Sequence, residues 1–253
     1  MCIRDRSWLV NLWVDDIHTP YVPSEAQRAA AGDGTGTAAY RAVLRETDRQ
    51  VGRLLDGLRN LNLDTNTLVI LAGDNGPQPS FDRKRTAGLR GMKWSLYEGG
   101  IRTPLVVRWP GIVPAGTVNH ATVIAAVDLF PTLCALAGLP VPDTVKFDGE
   151  NLAAAFCGAA VMRTKPLFWE YGRRPAASGP AVIRAFPYPD EPQSKSPNVA
   201  MRDGQWKLLV NADGSGAELY DLAADPNEAT NLVTLPVAGR LREAALAWRK
   251  SLP

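Results

Sequence analysis

Thr67-Leu68-Val69-Ile70-Leu71-Ala72, followed at once by Gly73-Asp74-Asn75-Gly76, is the stretch that decides the fold. A short, continuous apolar run is typical of a strand buried on both faces. Apolar residues recur at helical spacing just before it, over residues 40–58, which predicts an amphipathic helix. A helix and then a buried strand with polar residues at its carboxyl end indicate an α/β fold. In open α/β sheets, ligands bind at that end of the strands.

Further elements are predicted on both sides of this stretch. Residues 8–14 are apolar enough for a buried strand, and Pro104 to Trp109 predict another. Residues 128–137 predict a buried helix that has Asp128 as its N-cap.

The pattern changes near residue 160, where apolar runs become shorter and turn residues more frequent. A final helix is predicted at about 237–250. Antiparallel strands with tight turns are predicted at 167–171, 198–201, 206–210 and 218–222. We therefore expect one domain over 7–160 and a small subdomain over 161–253.

Composition narrows the classes of partner. The chain has 253 residues and a formal net charge of +2, which gives no electrostatic reason to expect nucleic acid or an anionic membrane surface. The longest apolar run, 121–139, contains Asp128 and Pro131, which are costly in lipid, so we expect no membrane span. Two histidines in the whole chain argue against a His-rich transition-metal site. Oligomeric state and localisation stay open.

Four residues are candidates for a site, each with an ordinary structural alternative. Asp74 and Asn75 offer hard oxygen ligands to Ca²⁺ or Mg²⁺, although an Asx turn would use the same residues. Lys93 would suit the non-bridging oxygens of a sulfuryl or phosphoryl group, or it is a solvated surface lysine. His18 would donate to an oxyanion or act as general acid, or it is a loop histidine without such a role.

The order of these motifs resembles that of the type I, formylglycine-dependent sulfatases of the alkaline phosphatase superfamily. The resemblance runs from about residue 7 to 253 and covers only the C-terminal part of a sulfatase. It rests on Asn11-Leu12-Trp13 to His18-Thr19-Pro20-Tyr21, Leu71 to Gly76, Gly91-Met92-Lys93, Glu98 to Pro104, Val127 to Leu133, Glu218 to Leu222, and Asp225-Pro226-Asn227-Glu228 with Asn231-Leu232. It implies an alkaline-phosphatase-like mixed sheet flanked by helices, incomplete here, plus a C-terminal α+β subdomain with an antiparallel sheet and a terminal helix.

The resemblance also implies an activity and a site. It implies hydrolysis of carbohydrate or aryl sulfate esters with calcium and a formylglycine nucleophile made from a cysteine. Asp74 and Asn75 then match the second pair of calcium ligands. Lys93 and His18 match the lysine and the histidine that contact the sulfate.

Parts of the family pattern have no counterpart in this sequence. The Asp-Asp pair of a first strand, the Lys-x-His motif and the Cys-x-Pro-Ser/Ala-Arg signature are absent. Cys2 has an arginine at the right spacing, Arg6, but Arg4 stands where the signature needs proline, so we expect no catalytic role for Cys2. Residues 1–6 are expected to be a non-native start. The chain alone is therefore expected to lack sulfatase turnover, since residues that act as a unit fail together.

Two alternatives remain. A phosphatase or phosphodiesterase cousin in the same superfamily would use two transition metals and would place Asp-His, rather than Asp74-Asn75, at the strand end. A non-catalytic binding or structural remnant would keep the fold without turnover. Bound calcium would favour the sulfatase and bound zinc the phosphatase.

Overall fold

The computed structural model describes residues 8–14, 17–31, 36–141, 144–174, 182–183 and 185–252. Cys2 and the start at 1–6, on which two sequence predictions fall, lie outside the described residues. The chain divides into two compact units, Met1–Thr67 and Leu68–Pro253. In the described part of the chain, no helix is both long and apolar enough to cross a membrane.

Two helices form the body of the first unit. Helix α1 spans Glu25–Ala31 and α2 spans Gly36–Asn60, followed by a 3₁₀ turn at Asp64–Asn66. The predicted amphipathic helix is confirmed. Fewer of its apolar residues are buried than the pattern suggests, since Leu44 and Leu54 are each 42% exposed. The buried positions of α2 are Ala39, Ala42, Val43, Thr47 and Leu58.

The predicted strand over residues 8–14 is wrong for this structure. These residues have no regular secondary structure, and Leu9 and Trp13 are 76% and 86% exposed. A strand exists only where a neighbouring strand completes its hydrogen bonds. Among the described residues, no strand pairs with 8–14, so an apolar pattern alone does not produce one.

The apolar run over residues 67–72 does form a strand. Strand β1, Val69–Ala72, pairs antiparallel with β2, Leu105–Arg108, and the short helix α3, Glu98–Ile101, precedes β2. Burial on both faces is wrong, because Leu71 is 49% and Val106 is 55% exposed. A sheet is buried on both faces only where layers cover both, and these two strands lack such layers among the described residues.

A helix is confirmed over most of 128–137, but it is only partly buried, since Phe130 is 58% exposed, and the role of Asp128 differs. A 3₁₀ turn at Ala126–Asp128 leads into α4, Leu129–Leu136, and α5 follows at Ala153–Phe156. The Asp128 carboxylate is fully buried and does not cap α4. Its oxygens accept the N–H groups of Ala125 and Glu150, at 2.8 and 2.9 Å, and both terminal nitrogens of Arg163. Asp128 therefore anchors an ion pair, because a buried carboxylate needs a counter-charge more than a helix needs a cap.

The C-terminal half contains the four antiparallel strands expected from the sequence, in the order β3-β6-β7-β8. These strands are β3 Leu167–Glu170, β6 Val199–Asp203, β7 Trp206–Val210 and β8 Glu218–Asp221. A two-stranded ribbon of β4, Arg173–Arg174, and β5, Val182–Ile183, lies between β3 and β6 in the chain, and a 3₁₀ turn follows at Pro192–Ser194. The final helix α6 spans Val237–Ser251, as predicted.

This sheet is covered on both faces, which places the candidate site. Alternate strand residues point to opposite faces, and Leu208 and Leu219 pack with Leu241 of α6 in one apolar core. On the other face, Leu96 and Tyr97 pack in a second core of buried residues that includes Ala200, Leu209, Tyr220 and Leu222. The chain segment that carries Lys93 is therefore fastened to the C-terminal sheet.

Candidate functional site

Asp74 and Asn75 stand exposed in the loop that follows β1. One carboxylate oxygen of Asp74, Oδ1, accepts the Asn75 N–H at 2.8 Å, and the Asn75 side-chain nitrogen donates to the Gly76 carbonyl at 2.9 Å. The second bond fixes the amide so that its oxygen is the end left for a ligand. The turn therefore presents carboxylate and amide oxygens at the end of the strand, and both are ligands that Ca²⁺ accepts.

Backbone hydrogen bonds join this loop to the segment that carries Lys93. The Lys93 N–H donates to the Pro77 carbonyl at 2.8 Å, and the Gly76 N–H donates to the Gly100 carbonyl at 2.8 Å. The Thr103 hydroxyl donates to the Gly73 carbonyl at 2.9 Å. The structure thus brings the Asp74-Asn75 turn and the half-buried Lys93 onto two adjoining loops.

Glycine is required where these loops approach. A Cβ at Gly76 would lie 1.9 Å from the Gly99 carbonyl oxygen, and a Cβ at Gly100 would lie 2.1 Å from the Ser95 carbonyl oxygen. Both distances are far below van der Waals contact, and in each case the obstacle is backbone that cannot rotate away. Gly76, directly after Asn75, and Gly100 of α3 are therefore required for this close backbone packing.

His18 belongs to the first unit and is exposed. Its Nδ1 lies 2.8 Å from the Thr19 carbonyl oxygen. A carbonyl can only accept, so Nδ1 is the donor in this contact.

The oxygen ligands of Asp74 and Asn75 are of the type that calcium binds, but they are too few for a calcium site. In proteins Ca²⁺ takes about six to eight oxygen ligands, whereas Asp74 and Asn75 offer two side chains. In the described part of the chain, no group of three or more His, Cys, Asp or Glu side chains could hold a metal ion. The two residues can therefore be one side of a cation site that other ligands must complete.

A cleft of about 570 Å³ lies beside the chain segment that leads to Lys93. Its walls come from Asp82, Lys84, residues 86–91, Gln193 and Ser194. Phe81, Asp82 and Ala87 have positive φ angles of 53–57°, which costs energy for residues other than glycine. Such strained backbone is concentrated at functional sites.

A buried charge cluster under α3 was not predicted from the sequence. The ammonium group of Lys207 on β7 is fully buried and lies 2.8 Å from Glu98 Oε1 and 2.9 Å from Glu228 Oε1. Burial raises the pKa of the Glu228 carboxyl above its ordinary value. A lysine inside the apolar run Trp206–Val210 was a signal that could have drawn attention to it, because a charge there needs a buried partner.

Arg90 fastens the same segment from the side. Its guanidinium lies 3.8 Å from the centre of the Tyr97 ring and donates to the Tyr220 hydroxyl at 2.7 Å. Both tyrosine hydroxyls donate to Glu218, at 2.8 Å in each case. Burial and the Glu218 carboxylate raise the pKa of both tyrosines, so both remain neutral donors at ordinary pH.

Comparison with known proteins gives consistent matches. The family model described as sulfatase matches residues 4–139, and that of the N-sulphoglucosamine sulphohydrolase C-terminal region matches residues 92–246. Human arylsulfatase A is 32% identical over 270 residues, covering 98% of this chain and 48% of the relative. The chain spans about half the length of the curated relatives it matches, or less.

Solved structures agree. The crystal structure of Ps i-CgsB in complex with k-i-k-neocarrahexaose has a TM-score of 0.69 at 26% identity, covering 92% of this chain and 47% of the other. The phosphonate monoester hydrolase of Agrobacterium radiobacter has a TM-score of 0.52 at 28% identity, covering 85% of this chain and 40% of the other. These similarities confirm the predicted fold class.

Proposed function

Because the chain belongs to the sulfatase family, we propose that it is the C-terminal portion of an enzyme that hydrolyses sulfate esters. Its nucleophile, a formylglycine, would come from a part of the protein outside this chain. The observation that carries the proposal is the backbone pairing that places the Asp74-Asn75 turn beside the loop of Lys93. Oxygen ligands for a cation and a positive side chain then lie on adjoining loops.

Each side chain has a distinct role in this proposal. Asp74 and Asn75 would hold a calcium ion, which when bound neutralises the charge of the sulfate oxygens. Lys93 supplies a second positive charge to those oxygens. For His18, in the first unit, we propose the sulfate contact that the family resemblance implies.

We propose a sulfated carbohydrate or an aryl sulfate as substrate. The similarity to a structure that contains neocarrahexaose supports the carbohydrate class. Gln193, an exposed amide on the wall of the cleft, supports it too, since an amide can bond to hydroxyl groups.

The test uses the complete reading frame that contains this chain. The coding sequence upstream of residue 7 is recovered, and the complete protein is expressed. This protein is then assayed for release of 4-nitrophenol from 4-nitrophenyl sulfate. We expect Lys93→Ala to lower kcat/KM by about 10²–10³-fold, as loss of one oxyanion donor does elsewhere. The matched control is Lys250→Ala, an exposed lysine on α6, and it should leave kcat/KM unchanged.

The two histidines of the chain form a second matched pair. His18→Ala should lower kcat, whereas His120→Ala, in an exposed loop, should not. Equal effects of Lys93→Ala and Lys250→Ala would overturn the proposal. So would an upstream sequence without the Cys-x-Pro-Ser/Ala-Arg signature, which would leave the non-catalytic alternative.

A second candidate is hydrolysis of phosphonate or phosphate esters. The similarity to the phosphonate monoester hydrolase favours it. The same protein is therefore assayed on an aryl phosphonate monoester and an aryl phosphate, and its bound metal is identified. Calcium with preference for the sulfate ester supports the sulfatase, whereas zinc with preference for a phosphorus ester supports the second candidate.

A further inference from the structure

Lys207 is a charge in a place where charges are costly. Its side chain has no exposure on β7, in the middle of the sheet, and lies 109 residues along the chain from its partner Glu98. Removing an ammonium group from water costs several kcal/mol unless it is paired with good geometry. Here two carboxylates, Glu98 and Glu228, lie within 2.9 Å of it. The positive charge of the lysine is therefore compensated only while both carboxylates stay in place.

Glu228 also forms a hydrogen bond with the backbone at the start of α3. Its second carboxylate oxygen, Oε2, accepts the backbone N–H of Glu98 at 2.6 Å. Glu228 has a positive φ of 55°, a strained conformation for a residue with a side chain, and its own carbonyl accepts from Arg90 at 3.1 Å. The first residue of α3 is thus held through its side chain by Lys207 and through its N–H by Glu228.

From α3 the constraint continues to the candidate site. Gly100 of α3 accepts the N–H of Gly76, in the turn of Asp74 and Asn75. Between Lys93 and α3, Ser95, Leu96 and Tyr97 are almost fully buried, at 3%, 6% and 1% exposure, and the last two pack on the C-terminal sheet. A shift of Glu98 would therefore move the backbone that orients both the cation ligands and Lys93.

We propose that Lys207 is a positioning residue, which holds α3 on the C-terminal sheet through Glu98 and Glu228 and thereby fixes the loops of Asp74-Asn75 and Lys93. Its effect on catalysis rests on the proposed function, whereas the positioning of the loops does not. A misplacement of about 1 Å at such a site costs about 10²-fold in rate.

Amide hydrogen exchange on this chain tests the positioning directly. Lys207→Met removes the charge and keeps a long apolar side chain, leaving two carboxylates without their cation. The matched control is Leu241→Ala, which opens a cavity on the opposite face of the sheet and lowers overall stability without contacting the cluster.

We expect Lys207→Met to accelerate exchange at the N–H groups of Gly76, Lys93 and Glu98 by about tenfold more than at the strand N–H groups of β7 and β8. Leu241→Ala should accelerate all of these by one common factor. A common factor in Lys207→Met as well would overturn the proposal, since Lys207 would then support only overall stability.

Two conservative variants keep the test decisive if Lys207→Met does not fold. Glu228→Gln retains an acceptor for the Glu98 N–H but loses the charge, and should give the same local pattern at about threefold. Lys207→Arg restores the positive charge and should return local exchange towards that of the unmodified chain. If Glu228→Gln accelerates exchange equally in the loops and in the strands, the proposal fails.

Activity of the complete enzyme supplies the second readout. Lys207→Met should lower kcat by about 10–10²-fold at a temperature where the protein stays folded, and Leu241→Ala should not. A complete protein without sulfatase activity would overturn the proposed function and leave the exchange result standing. Normal kcat in Lys207→Met would overturn the catalytic part of this proposal alone.

Discussion

Asp128→Ala measures whether this carboxylate is a helix cap or the anchor of a buried ion pair. Loss of an N-cap costs about 1 kcal/mol of unfolding free energy. In the structure, however, the truncation leaves the N–H groups of Ala125 and Glu150 without their acceptor. It also leaves the guanidinium of Arg163, 8% exposed, with only the Glu150 carboxylate, 3.9 Å away, as a counter-charge. Removing one partner of a buried pair costs about 3–5 kcal/mol, so we expect a loss in that range.

Urea unfolding of three variants checks the value and its cause. Arg163→Met and the double variant close a thermodynamic cycle with Asp128→Ala, and we expect the two single losses to overlap by about 2 kcal/mol or more. The control is Asn151→Ala, which removes a side-chain oxygen that accepts the Ala153 N–H ahead of α5 at 3.0 Å and should cost about 1 kcal/mol. If Asp128→Ala costs no more than Asn151→Ala, and if it adds independently to Arg163→Met, the ion-pair reasoning is refuted.

Three further substitutions test the packing of the Lys93 segment. Burial raises the pKa of Glu228 above 4.5, so just above that pH the folded state holds more protons than the unfolded state. The free energy of unfolding therefore falls as the pH rises through this range. Glu228→Gln should flatten this fall, as measured by denaturant unfolding at several pH values. Gly100→Ala drives a Cβ to 2.1 Å from backbone and should cost about 3 kcal/mol or more, whereas Gly57→Ala, with open space on α2, should stabilise by about 0.5–1 kcal/mol in thermal unfolding. Tyr97→Phe removes a donor to the Glu218 carboxylate and should cost about 1.5–3 kcal/mol in urea unfolding, and a loss near zero would contradict that bond.

The sequence predicts the elements whose signals are local. Strands β6, β7 and β8 alternate between two covered faces and are joined by short turns, so period and turn residues suffice to place them. Helices α2 and α6 likewise follow from apolar spacing. Residues 8–14 have an equally apolar pattern and no strand, because pairing depends on a neighbour that the pattern does not contain. The burial of β1 was overestimated for a related reason. A run of apolar residues predicts that other helices or strands cover both faces of the strand, and those elements must come from other parts of the protein.

The candidate site divides in the same way. Asp74 and Asn75 could be found because oxygen-bearing side chains at a strand end are a local pattern, and the glycines around them are local too. Their pairing with the loop of Lys93 depends on Gly76 meeting Gly100, which no periodicity reveals. The roles of Asp74, Asn75, Lys93 and His18 stay predictions.

Buried charges show why residue type alone was insufficient. Asp128 was assigned the role that its position before a helix suggests, yet its partner Arg163 lies 35 residues away. Lys207 interrupts an apolar strand, and a charge there must either disrupt the core or bring a carboxylate into it. The sequence contains Glu98 and Glu228 within motifs of their own, and only the fold shows that both motifs meet at one lysine. Two sequence motifs, one before and one after the strands of this sheet in the chain, are then parts of a single support, which couples the C-terminal strands to the loops that bear Asp74 and Lys93.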